Sequence, residues 1–245
     1  MYSGKMSFRV VNIMYVEPGS GCTGLSDQAV LRLYENIRHH YHIGSLFIEL
    51  DSRRRLRVNG TCTIWGSMIH ITVQQAYPNC PKYIQRRVMN MPDYFETTQA
   101  VSTTGTALDK ATLEWIRKAD TFFIASAAMD DHVDVSHRGG NPGFITITED
   151  GRLKIPDYPG NSLFNTLGNI IQNPRVGLLF IDFDNRRALQ LTGMAELLFD
   201  QRSEMDLRLT MGTGRFWLFH PEQWIHTTEH HQVAWNLLDY SPFNP

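Results

Sequence analysis

The chain has 245 residues, 42% of them hydrophobic and 20% charged, a globular composition with enough apolar residues for one large core or two small ones. Its 23 Lys and Arg stand against 25 Asp and Glu, so bulk electrostatic attraction to nucleic acid is not expected. Cys22, Cys62 and Cys80 are odd in number and form no Cys-x-x-Cys pair, which excludes a disulfide framework and a zinc site as expectations. Met1 to Val16 lacks a continuous apolar signal region and no run is long enough for a membrane-spanning helix, so the expectation is a cytoplasmic protein with no membrane partner.

In chain order, Ser26 and Asp27 cap a predicted helix whose apolar face is Val30, Leu31, Tyr34 and Ile37. Leu46 to Ile64 follows as a strand pair around a charged turn. Met68 to Val73 then leads into Gln74–Arg87, and the stretch from Tyr77 to Arg87, dense in proline, aromatic and basic residues, reads as an ordered lid. Beyond it, Thr121 to Ala127 and Val133 to Arg138 read as strands around Asp130-Asp131. Phe144 to Thr148 and Leu153 to Ile155 flank the hairpin turn Glu149-Asp150-Gly151, since Asp-Gly tolerates the positive φ of a tight turn. Asn161 or Ser162 caps a predicted helix with Leu163, Phe164, Leu167, Ile170 and Ile171 on one face, ended by Pro174. Val176 to Asp182 and Ala188 to Phe199 are two long strands around Asp184-Asn185-Arg186. The connections are too short for parallel crossovers, which predicts an antiparallel barrel.

The chain also contains itself twice. Leu46 to Ile64 lies on Leu179 to Leu197 without a gap, 133 residues on, with identities at Leu46/Leu179, Phe47/Phe180, Ile48/Ile181, Asp51/Asp184, Arg53/Arg186, Arg54/Arg187, Leu56/Leu189 and Gly60/Gly193. A repeat of this length is domain-sized, so the chain reads as two fused copies packed as a homodimer packs. The offset puts the opening strand of the second copy before residue 1 in the first, and Gly4 to Val11 has neither the histidine-arginine pair nor the glycines of His137 to Phe144. The expected fold is mainly β with α (α+β), with an abbreviated copy over residues 1–98 and a complete copy over 99–245.

Asp134-Val135-Ser136-His137-Arg138-Gly139-Gly140-Asn141-Pro142-Gly143-Phe144, Pro156-Asp157-Tyr158-Pro159-Gly160-Asn161, Phe164-Asn165-Thr166-Leu167-Gly168-Asn169, Asn173 to Phe180 and the Tyr77–Arg87 stretch together resemble the pyridoxamine 5'-phosphate oxidase-related flavoproteins, in their duplicated branch. The resemblance implies two antiparallel split β-barrels with FMN between them, an intrachain pseudo-dimer or homodimer, and an FMN-dependent oxidoreductase acting on a small-molecule substrate or electron donor. It leaves a non-catalytic flavin-binding module, a haem-binding or haem-degrading split-barrel protein, and a barrel that has lost its cofactor as alternatives.

By position in that pattern, Ser136, His137, Arg138, Gly139, Asn141, Asp157, Tyr158, Asn165, Thr166 and Gln190 would line the flavin. Arg138 offers a charge-assisted fork to the phosphate, and Asn165 and Thr166 add donors beside the positive end of a helix. Gly139, Gly140 and Gly143 would let backbone approach a flat ring. The better-known oxidases carry Arg or Lys at the positions of Asn165 and Thr166. Lys82 and Arg86 in the lid, and Arg57, which matches Gln190, are the candidate catalytic cations for an anionic substrate or the reduced ring. Arg53 to Arg55 read as a solvated turn. Cys80 reads as a packed lid thiol, His226, His230 and His231 as a surface helix, and Asp130, Asp131, His132 and Asp134 as a hairpin tip. No metal site is expected.

Overall fold

A computed structural model describes residues 35, 37–66, 68–90, 100–129, 132–160, 162–229 and 233–245. The expected cap at Ser26 and Asp27, the helix face Val30, Leu31 and Tyr34, the Gly4–Val11 stretch, Asp130, Asp131, Asn161, His230 and His231 lie outside these residues. The described fold is mainly β. Strands β1 (His42–Glu49), β2 (Arg54–Trp65) and β3 (Met68–Pro78) form one antiparallel sheet. A larger sheet has the order β7 (Val133–Gly139), β6 (Thr121–Ala127), β10 (Arg175–Asp182), β11 (Arg187–Leu198), β12 (Phe216–Thr228), β9 (Leu153–Pro156) and β8 (Thr146–Ile147), with β5 (Val101–Gly105) also on β12. β4 (Arg86–Asn90) pairs with β13 (Ala234–Asp239), and the helices are α1 (Lys110–Lys118), α2 (Asn165–Gln172) and α3 (Glu204–Leu209).

The β1–β2 and β10–β11 hairpins share one design at the sequence offset. Leu46 faces Arg57 as Leu179 faces Gln190, and Glu49 faces Arg54 as Asp182 faces Arg187. Each hairpin closes with the same ion pair, Arg54 to Glu49 at 2.6 Å and Arg187 to Asp182 at 2.5 Å, and each turn places an arginine in left-handed backbone, Arg53 at φ 56° and Arg186 at φ 54°. Both second strands break register at the matching glycine, Gly60 against β3 and Gly193 against β12. A β-bulge brings the neighbouring backbone close, and a Cβ would lie 3.0 Å from the Thr72 carbonyl carbon at Gly60 and 2.9 Å from that of His220 at Gly193. Gly193→Ala is therefore expected to lower stability by about 1–3 kcal/mol in urea unfolding. Gly168→Ala, in α2 with nothing within 4 Å of the new methyl, should raise it by roughly 0.5–1 kcal/mol.

Neither sheet closes into the expected barrel. The first has three strands, and the larger sheet runs as an open path from β7 to β8. Against β7 packs β1, so closely that a Cβ on Gly44 would lie 3.1 Å from the Val133 carbonyl oxygen. One apolar cluster lies between the sheets: Phe123, Leu179 and Ala188, with Leu46, Ile48 and Ile181 against them. Leu46 and Leu179, and Ile48 and Ile181, are equivalent positions of the repeat, so like meets like across the interface. The main core, with Phe122, Phe180, Leu189, Trp217 and Phe219, belongs to the larger sheet and is flanked by α2 through Leu167 and Ile170.

Three local expectations are corrected. Helix α2 starts at Asn165, because Ser162 (φ 59°) and Phe164 (φ 49°) both hold left-handed backbone, and the Phe164 cap position supplies no side-chain hydrogen bond. His226 lies on strand β12 rather than on a surface helix, its ring 5.7 Å from that of Trp115. The Tyr77–Arg87 stretch is continuous with two strands rather than a separate segment: Pro78 ends β3 and Arg86 begins β4, and the turn between them, which lines the cleft with Asn79, Cys80, Lys82 and Tyr83, is pinned. Buried Gln85 donates to the Asp120 and Gly140 carbonyls and accepts from the Ser241 amide and the Asn244 side chain, while Arg87 pairs with Asp120 at 2.5 Å.

Candidate functional site

The two halves of the chain line a solvent-open cleft with a cavity volume of about 100 Å³. The first half supplies Arg55 and Arg57 from β2 and Asn79, Cys80, Lys82 and Tyr83 from the turn after β3. The second supplies Ser136 to Gly139 from β7, Pro156 to Tyr158 at the end of β9, and Phe164 to Leu167 at the start of α2. Of the residues expected at a cofactor, Ser136, His137, Arg138, Gly139, Asp157, Tyr158, Asn165 and Thr166 line the cleft, as do Lys82 and Arg57.

Asn141, Gln190 and Arg86 do not line it. Asn141 is held by the C-terminal residues, donating to the Pro245 main-chain oxygen at 2.6 Å and accepting from Asn244. Arg86 donates to the Asp51 carbonyl and pairs with Asp239 of β13 at 2.9 Å, which turns it away from any catalytic position. Gln190 lies on β11, outside the cleft lining. Its repeat equivalent is Arg57, facing Leu46 as Gln190 faces Leu179, yet of the two only Arg57 reaches the cleft.

Arg57 is buried and already spoken for. It donates to Asp134 at 2.9 Å and to the Ser136 hydroxyl at 2.6 Å, and Asp134 also accepts from Asn59 and from the Tyr77 hydroxyl at 3.1 Å. Tyr77 in turn accepts from the Asn165 amide at 2.7 Å, so one network ties the first sheet to the helix start. Burial, with Asp134 beside it, pushes the Tyr77 hydroxyl above its ordinary pKa and keeps it a neutral donor. Asp134, expected at a hairpin tip, is therefore the buried anchor between the halves.

Arg138 donates to Asp157 at 3.0 Å, and Arg215 donates to the other oxygen of the same carboxylate at 2.9 Å. The Arg138 Nε is buried without a partner among the described residues. The glycines serve packing: a Cβ on Gly139 would strike the Tyr83 carbonyl and one on Gly140 would lie 2.7 Å from the Phe144 ring, so close approach here is protein to protein. Tyr83 and Tyr158 place their rings 5.0 Å apart at the cleft, and burial raises the pKa of both hydroxyls.

Sequence reasoning missed Arg55. It is not a solvated turn residue: it donates from Nε to the Cys80 carbonyl at 3.1 Å, and its Nη1 lies 3.2 Å from His137 Nδ1. A guanidinium only donates, so Nδ1 accepts and the His137 proton sits on Nε2, which is buried and unpartnered among the described residues. The signal was strand alternation, which sets Arg55 and Arg57 on one face of β2. Burial, with Arg57 and Arg138 nearby, lowers the Arg55 pKa to about 10, so it stays charged at neutral pH.

Burial first, then Arg55 and its neighbouring arginines, hold His137 neutral well below the usual histidine pKa. Because the unfolded chain takes up the proton and the native state does not, stability is full above about pH 6.5 and falls as the pH drops below it, by up to about 1.4 kcal/mol per pH unit from this group. Urea unfolding at pH 5 and 7 should show this loss in the parent chain, and His137→Gln should reduce it.

Among the described residues no group of three or more His, Cys, Asp or Glu could hold a metal ion, and no helix is long and apolar enough to cross a membrane. Residues 108–226 match the family model of pyridoxamine 5'-phosphate oxidase. Among solved structures, the chain is similar to a HupZ variant from Group A Streptococcus (10% identity, 49% of this chain and 99% of that one, TM-score 0.41). It is also similar to an FAD-binding protein from Mesorhizobium loti (14% identity, 52% and 97%, TM-score 0.36). A third similar structure is a protein of the pyridoxinephosphate oxidase family from Clostridium acetobutylicum, related to general stress protein 26 (13% identity, 52% and 92%, TM-score 0.34). A comparison with curated proteins finds no match. Residues 108–226, the stretch that carries β6, β7 and α2, are the part of this chain that matches the pyridoxamine 5'-phosphate oxidase family.

Proposed function

We propose that the cleft binds one FMN per chain and that the protein is an FMN-dependent oxidoreductase built as an intrachain pseudo-dimer of two related, mainly β units with open sheets, the first abbreviated. The observation that carries this reading is the start of α2. It opens into the cleft with no capping side chain, beside Arg138 with its unpartnered Nε, and so offers free backbone donors and the positive end of the helix dipole to a phosphate. The residues present therefore fit a phosphate monoester. Thr166 and the free amide hydrogen of Asn165 add neutral donors, and Tyr83, Tyr158 and Phe164 supply flat apolar walls for a ring system.

Flavin supplies hydride and electron transfer when bound. The chain supplies position, exclusion of water and charge. Asp157, fixed by Arg138 and Arg215, holds the far wall, and the Asp134 network holds β2 and the α2 start at a set spacing. The expected test is a titration of the purified chain with FMN followed by visible absorption. A saturable, perturbed flavin spectrum that a chemical reductant bleaches and air restores supports the reading. A protein that binds no flavin, or that takes up haem with a Soret band instead, refutes it.

A further inference from the structure

Among the described residues eight that are not glycine hold left-handed backbone, and three of them, Tyr83, Ser162 and Phe164, line the cleft. Tyr83 stands at φ 66°, where a Cβ crowds the main chain and a glycine would sit without strain. Such strain persists only where the surroundings over-determine it. Here they do. The Tyr83 amide donates to the Ser241 hydroxyl oxygen at 3.1 Å, its carbonyl accepts from Gln85 Nε2 at 3.3 Å, and its hydroxyl donates to the Pro159 carbonyl at 2.9 Å. Gln85 is held from the same side, its Oε1 accepting from the Ser241 amide at 2.7 Å and from the Asn244 side chain at 3.1 Å. Ser241 and Gln85 are 4% and 0% exposed, so water does not replace either contact. A Cβ on Gly139 would strike the Tyr83 carbonyl, which closes the seat from the β7 side. A strained tyrosine kept where glycine would be free places the requirement on its ring, and that ring stands 5.0 Å from Tyr158 in the cleft.

We propose that Ser241, acting with Gln85, is a positioning residue of the cleft: it holds Tyr83 in left-handed backbone and so sets the Tyr83 ring beside Tyr158 as a wall for a flat aromatic ring. The clamp spans the chain. Tyr83 lies in the turn between β3 and β4, and Ser241 follows β13, so residues of the second half fix a wall that the first half contributes. Ser241 itself is outside the cleft lining and acts only through Tyr83 and Gln85. Without its hydroxyl the Tyr83 amide loses its acceptor, and the backbone is freed toward the extended and right-handed regions that a tyrosine prefers. The identity of the ring rests on the flavin reading above, whereas the clamp rests on Tyr83, Ser241 and Gln85 alone.

Two measurements test this in the full chain, on the parent, Ser241→Ala, Tyr83→Leu and Ser241→Ala in the Tyr83→Leu background. Hydrogen exchange followed by mass spectrometry reads the clamp with no ligand present: amides of residues 79–87 should exchange about tenfold faster in Ser241→Ala, while rates in the main core stay at parent values. Fluorescence titration with FMN reads the wall. Tyr83→Leu should weaken FMN by about fivefold to tenfold, as loss of an aromatic contact does, and Ser241→Ala should weaken it by about threefold or more in the parent and not at all in the Tyr83→Leu background. A serine with a merely structural role would lower affinity equally in both backgrounds, and that result overturns the positioning role. No faster exchange over residues 79–87, or a uniform rise along the whole chain, overturns the clamp. Faster exchange there with FMN affinity unchanged in Ser241→Ala and in Tyr83→Leu overturns the wall and leaves the flavin reading intact. A parent chain that binds no FMN overturns the flavin reading, and the exchange rates of Ser241→Ala then decide the clamp by themselves.

Discussion

Asp134→Ala is expected to lower stability by about 3–5 kcal/mol, the cost of leaving one member of a buried ion pair alone. The side chains of Arg57 and Asp134 are 9% and 4% exposed, so water does not replace the lost carboxylate. The same change strips the acceptor from Asn59 and Tyr77, and through Tyr77 it frees Asn165 at the start of α2. The loss therefore falls on the docking of the first sheet rather than on the main core. Urea unfolding should show a lower midpoint, and limited proteolysis should cut first in residues 42–78. An Asp134→Ala chain with the parent's stability would show that the halves are held by the Leu46–Leu179 cluster alone.

Arg138→Ala is expected to weaken FMN by about 2–4 kcal/mol, since it removes a charged donor beside the helix end that would receive the phosphate. Its structural cost is small by comparison. Asp157 keeps Arg215 on one oxygen, and its main chain stays fixed by Thr213 and the Arg215 carbonyl. The two effects separate cleanly: affinity falls in a fluorescence titration with FMN while the unfolding midpoint moves little. Equal FMN binding by parent and variant would remove Arg138 from the site.

The repeat was legible in the sequence because its hairpins use the same residues for the same physical jobs. Glu49/Asp182 and Arg54/Arg187 close the turns, Arg53/Arg186 take the left-handed position, and Gly60/Gly193 meet a carbonyl at the bulge. That Ser136, His137, Arg138, Asp157, Tyr158, Asn165 and Thr166 come together was legible as well, since they line one cleft. What stayed hidden depends on partners far along the chain. Arg86 reads as a free lid cation until β13, some 150 residues on, brings Asp239 to it. Arg57 reads as a free cation until Asp134 meets it across the interface. Arg55 sits in a run of three arginines whose fates differ by strand alternation: Arg54 is 76% exposed on the outer face, while Arg55 turns toward His137. The late start of α2 was missed because it rests on two left-handed residues that are not glycine, Ser162 and Phe164.

The proposed pseudo-dimer makes a numerical claim about its ligand. Two equal copies would form two sites, but the matching stretch of the first copy, Gly4 to Val11, has Lys5 in register with Arg138 and Met6, Ser7 and Val10 in register with Gly139, Gly140 and Gly143. Flavin released by heat from the FMN-saturated, gel-filtered chain and measured against protein mass should approach one per chain. A value near two would show a complete second site and contradict the division of labour between the halves, and a value near zero would contradict the flavin site itself.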